Sequence, residues 1–252
     1  MMMKTLSYLL LFLLYSSYFL QAQSAEAILQ QYTETTGGQA QWDQVVSMKV
    51  TGIAKLLGQG GMELPYTRIM QKDGKQFTAL KVNGMNYVDT GFDGNIVWGT
   101  NTQMQLAEKD QDALENAKLA VYDFPYPGHN WQQNGYQAKY LGEVMVGDFK
   151  THKIELTKRP QWVNGEEMEN IVFLYIDVEK NVPILRESEV LSGPNKGEIM
   201  KSYLSDYRNV AGYWYPFVVT MKYGDQTFQI LETETVEWNA EIDASVFSMP
   251  EK

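Results

Sequence analysis

The chain has 252 residues and a formal net charge of −10, with no cysteine and two histidines. The absence of cysteine excludes disulfides, thiolate metal ligands and a cysteine nucleophile. The acidic balance repels phosphate backbones and argues against a nucleic-acid partner.

Residues 1–22 read as a secretory signal peptide: Lys4 precedes an apolar run from Leu9 to Leu14, and Ala22 is the expected last residue before cleavage. Without a following cysteine, no lipid anchor is expected. An exported chain lacking disulfides fits a bacterial periplasm. Residues 23–252 are expected to form one monomeric domain.

A helix is expected over 24–36, with Ala25, Ile28, Leu29 and Tyr32 on one face, Ser24 as N-cap and Gly37-Gly38 as its stop. Strands follow. Over 48–57, Met48, Val50 and Leu56 share one face, while Lys49, Thr51 and Lys55 take the other. Ile53 and Leu57 break the pattern by falling on the lysine face. After a turn at Gly58 to Gly61, Leu64, Tyr66, Arg68 and Met70 share the next apolar face. Asp73-Gly74, Asn83-Gly84 and Asp93-Gly94 are hairpin turns that place strands at 76–82 and 86–92 in an antiparallel meander.

Residues 104–122 change period. Ala113, Leu114, Ala117, Ala120 and Val121 would line one side of a helix, with Asp110 capping its last three turns. Phe124-Pro125-Tyr126-Pro127-Gly128 ends it as a rigid aromatic rim. This segment reads as a helical lid inserted into the sheet. Strands resume at 138–146, 149–158, 169–177, 183–191, 198–204, 217–223 and 226–238, with turns at Gly147-Asp148 and Gly224-Asp225. The run Ile171 to Ile176 is apolar on both faces, which predicts a strand between two layers. The tail over 242–250 is expected to pack in extended form. Together these give a mainly β (α+β) chain with one large curved antiparallel sheet.

No catalytic constellation emerges. Neither His129, in the rim loop, nor His152, in a strand, has a ligand partner at metal spacing, so no metal is expected. Serine-hydrolase, phosphate-loop and dinucleotide fingerprints are missing, so no cofactor and no enzyme activity are expected. Glu166, Glu167 and Glu169, after Trp162-Val163-Asn164-Gly165, read as a solvated hairpin tip, and Asp206-Tyr207-Arg208 as a charge-stabilised turn. Arg68 has two readings. It either snorkels to water from an edge position, or sits inside an apolar concavity where it could hold lid carbonyls or a ligand head group. Met48, Met62, Met70, Met85, Met104 and Met145 either fill the core or line a lipid groove. Phe92 and Trp98 flank the hairpin where the lid leaves the sheet and are expected to touch an apolar ligand.

The order of several short matches resembles the outer-membrane lipoprotein-sorting protein superfamily, and more closely the carrier-like proteins of Bacteroidetes. These are Ala27-Ile28-Leu29 to Thr36-Gly37-Gly38, Trp42, Arg68, Gly91-Phe92-Asp93-Gly94 with Trp98, Asp206-Tyr207-Arg208-Asn209-Val210 with Gly212 and Pro216, and Phe247-Ser248-Met249-Pro250. The resemblance implies an unclosed half-barrel whose concave apolar face is covered by helices. It implies a carrier that shelters the acyl chain of a lipoprotein or other lipid between an inner-membrane donor and an outer-membrane acceptor. An acyl chain of about fifteen methylenes costs on the order of 12 kcal/mol to expose to water, so such a carrier needs a preformed cavity. The residues expected to line it are Met48, Val50, Leu56, Leu64, Tyr66, Arg68, Met70, Phe92, Trp98, Leu114 and Phe173. In the resemblance, an early-strand arginine holds the lid shut, a role that would fall to Arg68. Greater length and the aromatic rim depart from the pattern and leave the cargo open. A module that docks to an outer-membrane partner through an exposed apolar patch is the alternative.

Overall fold

The computed structural model describes residues 24–126 and 128–251. The signal sequence expected over 1–22 lies outside the described residues. Helix α1 (Ala25–Thr36) begins where the Ser24 hydroxyl accepts from the Ala27 amide at 3.1 Å, and buries Ala25, Ile28, Leu29 and Tyr32 on one face. A single turn, α2 (Gln39–Trp42), delivers Trp42 to the interior.

Thirteen strands then form one antiparallel sheet. The first six are β1 (Ser47–Leu56), β2 (Met62–Gln71), β3 (Gln76–Val82), β4 (Met85–Phe92), β5 (Val97–Thr100) and β6 (Leu106–Glu108). They pair in sequence order, joined by short connections of which Asn83-Gly84 is the tightest. After helix α3 (Gln111–Lys118) come β7 (Gln137–Val146) and β8 (Phe149–Thr157). A separate two-stranded hairpin follows, β9 (Gln161–Val163) and β10 (Glu166–Met168). The main sheet then continues with β11 (Ile171–Asp177), β12 (Pro183–Glu189), β13 (Ile199–Val210), β14 (Tyr213–Tyr223) and β15 (Gln226–Trp238).

The spatial order is β6-β5-β4-β3-β2-β1-β15-β14-β13-β12-β11-β8-β7. The β1–β15 pair is therefore the seam between the two meanders, and β6 and β7 are the unjoined borders. The connection from β6 to β7 has to travel from one border to the other. It contains α3, a 3-10 turn at Leu119–Asp123 and the aromatic rim, so the cover follows from topology.

Period-2 alternation divides the core between the two faces. On the concave face, Trp42, Val45, Met48, Val50, Tyr66 and Met70 pack with Phe124, Phe217 and Val236. A second concave cluster joins α1 to β8 and β11 through Leu29, Ile154, Leu156, Leu174 and Ile176. On the convex face, Ile69, Phe77, Val88 and Trp98 receive the C-terminal segment, whose Phe247 is 0% exposed. That segment contains a 3-10 turn at Ala244–Phe247, so it is packed as expected but not uniformly extended.

Three expectations need correction. The helix expected over 104–122 is confined to Gln111–Lys118. The Asn101 side chain accepts from the Gln103 and Gln105 amides, making a turn that feeds residues 106–108 into β6 instead. Helix begins only at Asp110, whose carboxylate accepts from the Ala113 amide at 2.9 Å. Asp110→Ala is expected to cost about 1 kcal/mol, read as a lower urea midpoint at unchanged m-value.

Asp206-Tyr207-Arg208 is not a turn. β13 runs through it with Asp206 at φ 52°, and the chain reverses at Ala211-Gly212. The Asp206 carboxylate and Arg208 guanidinium pair on the exposed side. Third, β11 is not sandwiched between two layers. Val172, Leu174 and Ile176 face α1, while the rings of Phe173 and Tyr175 are covered by the Lys153 ammonium at 4.6 and 5.0 Å.

Candidate functional site: a covered trough on the concave face

Seven adjacent strands, from β2 across the seam to β11, curl around a cavity of about 450 Å³. Its floor and walls include Met48, Val50, Met70, Leu174, Leu204, Val219 and Leu231. Alternation puts one residue in two from each strand on this face, so the lining is assembled from residues distant in sequence. Tyr32 of α1 and Pro125 and Tyr126 of the rim close it from the other side.

The rim is fixed by an aromatic cluster. Tyr126 stands 5.0 Å from Tyr32 and 5.0 Å from Trp42, ring centre to ring centre. Trp42 in turn lies 4.7 Å from Tyr213 and 5.2 Å from Trp238. The Tyr126 hydroxyl donates to Thr33 Oγ1 at 3.0 Å, and burial pushes its pKa up to about 12. Burial likewise raises Tyr66 to about 12 and holds Tyr32 and Tyr215 above the ordinary phenol value. The phenols facing the trough are therefore neutral at physiological pH.

Five of the residues expected at an apolar cavity line it: Met48, Val50, Tyr66, Arg68 and Met70. The other six do not. Leu56 and Leu64 continue along the same face, but the cavity wall ends at Val50 on β1 and Tyr66 on β2. Phe92 is concave, but it is sealed with Val97 under Ala117 and Leu114 of α3. Trp98 pairs with Gly91, one position out of step, and so faces the convex side, where its indole donates to the Phe247 carbonyl at 2.6 Å. Phe173 lies between Val172 and Leu174 and points away for the same reason. Met85 and Met104 are 69% and 60% exposed and rim a separate convex hollow of about 570 Å³ beside Val246 and Pro250.

The Arg68 guanidinium lies beside Leu119, Ala120 and Asp123 of the cover but hydrogen-bonds no backbone carbonyl among the described residues. The β9–β10 hairpin fixes α3. Asn116 Nδ2 donates to the Trp162 carbonyl at 2.8 Å, Asn116 Oδ1 accepts from the Trp162 amide at 2.8 Å, and the Asp112 carboxylate accepts from the Gly165 amide. Glu166 and Glu167 lie exposed on that hairpin, as a solvated tip should.

Sequence reasoning missed Arg186, Tyr207 and Tyr215, which also face the trough. Arg186 Nε is buried with no hydrogen-bond partner, an arrangement that costs about 1–3 kcal/mol. Lys158, by contrast, is paired with Asp123, which also accepts from the Tyr136 hydroxyl. Among the described residues no group of three or more acidic or imidazole side chains could hold a metal.

His129, behind the rim, is 3% exposed. Its Nε2 lies 3.2 Å from the Asp43 carboxylate and 3.0 Å from Asn130 Nδ2. Burial outweighs the attraction of Asp43 and holds the imidazole below its ordinary 6.5; burial does the same to His152. A histidine whose folded pKa is depressed binds fewer protons folded than unfolded. Its stabilisation is complete above about 6.5 and is lost as pH falls through that value toward the folded pKa. The urea midpoint is expected to drop between pH 7.5 and 5, and His129→Gln to flatten that slope. An unchanged slope in the variant would exclude His129 as its origin.

No protein-family description and no curated protein matches the chain. Among solved structures it is similar to a LolA superfamily protein from Nitrosomonas europaea, at 14% identity and a TM-score of 0.56 over 90% of this chain and 99% of that one. It is also similar to a DUF1329 family protein from Desulfovibrio piger, at 12% identity and a TM-score of 0.57 over 89% of this chain and 97% of that one. The likeness is one of fold: the protein is built on the LolA-superfamily fold.

Proposed function

We propose that the protein is a non-catalytic carrier that shelters the acyl chain of a lipoprotein or other lipid, acting in the periplasm between an inner-membrane donor and an outer-membrane acceptor. One observation carries this reading. The concave face holds an apolar trough of about 450 Å³, roofed by the segment that joins the sheet's two borders. That volume falls in the range of ligand sites, roughly 300–1,000 Å³. The roof is attached to the trough walls by side-chain contacts, so it can part from them without breaking strand pairing. The shared fold and the export signal read at residues 1–22 support the same reading.

The test is lipid analysis of the purified protein, followed by titration of delipidated protein with laurate. Co-purified lipid is expected, together with a rise in stability of about 2.7 kcal/mol at a hundredfold excess over Kd. Delipidated protein that gains no stability from any acyl ligand overturns the carrier. The docking-module reading would then stand on exposed Met85 and Met104 at the convex hollow.

A further inference from the structure

We propose that the cargo's polar end is an oxyanion, a carboxylate or a phosphate, held inside the trough between Arg68 and Arg186. This rests on the carrier reading and names the chemical class of its cargo.

Arg68 belongs to β2 and Arg186 to β12. Five strand-to-strand steps separate these strands in the sheet, about 24 Å along its surface at ~4.8 Å per step. Yet both side chains line the one trough, together with Tyr215 of β14, the strand between them. Tyr32, in the roof, and Tyr207 line the same cavity as Arg186. Two cations from well-separated strands therefore line one largely apolar cavity without a carboxylate of their own.

Neither has an anion there. Arg68 and Arg186 make no ion pair and no hydrogen bond among the described residues, and Arg186 Nε is fully buried without a partner. The Tyr32 and Tyr215 hydroxyls, in the same cavity, likewise make no hydrogen bond among the described residues. Acids are not scarce in a chain with 31 of them against 21 lysines and arginines. The one carboxylate lining the trough, Asp123, is taken by Lys158 and Tyr136. A purely apolar cargo would leave the buried Arg186 Nε unpaired, with the more exposed Arg68 beside the same cavity. A carboxylate or phosphate head presents the flat pair of acceptor oxygens that a guanidinium fork fits, with the two hydroxyls as further donors. The cargo's hydrocarbon would then lie along Met48, Val50, Leu204 and Leu231.

The experiment compares three amphiphiles of one chain length on delipidated full chain by calorimetry: laurate, dodecyl phosphate and dodecanol. At least one of the two anions is expected to bind about tenfold or more tighter than dodecanol. The tighter of the two identifies the head group as carboxylate or phosphate. Arg186→Gln is expected to remove that advantage while leaving dodecanol binding unchanged, and Arg186→Lys to restore part of it. Dodecanol binding wild-type protein as tightly as both anions overturns the arginine clamp and leaves the carrier standing. Failure of all three to bind overturns the carrier itself. The wild-type comparison needs no variant, so a folding defect in either substitution cannot mask the answer.

Discussion

Replacing Trp42 with alanine is expected to lower stability by about 3–5 kcal/mol, the range for emptying a buried aromatic site. For a chain of this size that corresponds to a fall in melting temperature of roughly 6–20 °C. Trp42 is 3% exposed, and its indole donates to Thr36 Oγ1 at 3.3 Å. Its ring meets Tyr126 of the rim, Tyr213 of β14 and Trp238 of β15. One side chain therefore ties the N-terminal helices, the cover and the last two strands together. The substitution should also loosen the rim, because Tyr126 loses its edge-on partner. A double-mutant cycle with Tyr126→Ala is expected to show coupling above about 0.5 kcal/mol. A loss under about 1 kcal/mol for Trp42→Ala, or strict additivity with Tyr126→Ala, would mean that the cluster does not act as one unit.

The second large effect is expected at Gly52. A methyl group there would sit 2.0 Å from the Glu232 carbonyl oxygen, 2.9 Å from Thr233 Cα and 2.8 Å from Tyr66 Cε1. Two of these are backbone atoms and cannot rotate away. Gly52 also stands where the β1–β15 register slips, between Thr51 and Gly52. The close approach therefore falls on the seam joining the two meanders. Gly52→Ala must push β15 outward and strain the Tyr66–Thr233 hydroxyl pair, now 2.9 Å apart. We expect a loss at or above the upper end of the usual 1–3 kcal/mol, roughly 3 kcal/mol, measured by urea denaturation. Gly58→Ala, which has open space around it and no left-handed backbone, serves as the control and should stay within about 0.5 kcal/mol. Equal effects at the two positions would sink the argument.

The sheet was readable from the chain because its signals are local. Asn83-Gly84 and Gly224-Asp225 demand reversals, and the runs between them alternate, so an antiparallel meander follows. The face each residue takes is not local in the same way. Phe173 sits in a run that is apolar on both sides, so parity cannot be read from composition, and packing of α1 on Leu174 and Ile176 decides it. Trp98 is assigned to the convex side by its pairing with Gly91, whose missing side chain leaves room for the indole. The over-long lid had a similar cause. The helix expected from the stripe Ala113 to Val121 reaches back to residue 104, with no warning that the Asn101 side chain folds the chain there into β6. Arg186 was invisible for a further reason. Nothing within β12 says that it will line one trough with Arg68, because that depends on the curl of seven strands.

Leaving the sheet unclosed has one more consequence. An open sheet presents two rows of unpaired backbone groups, and such rows can recruit a second chain and seed fibres. Here the border at β6 is only three residues long. The border at β7 breaks step between Tyr140 and Gly142, and carries exposed Lys139 and Glu143. Neither offers the long, flat, uncharged template that strand addition needs. The same two borders that leave the sheet open are thus poor seeds for polymerisation, and the protein can stay open-sided without pairing with its own copies.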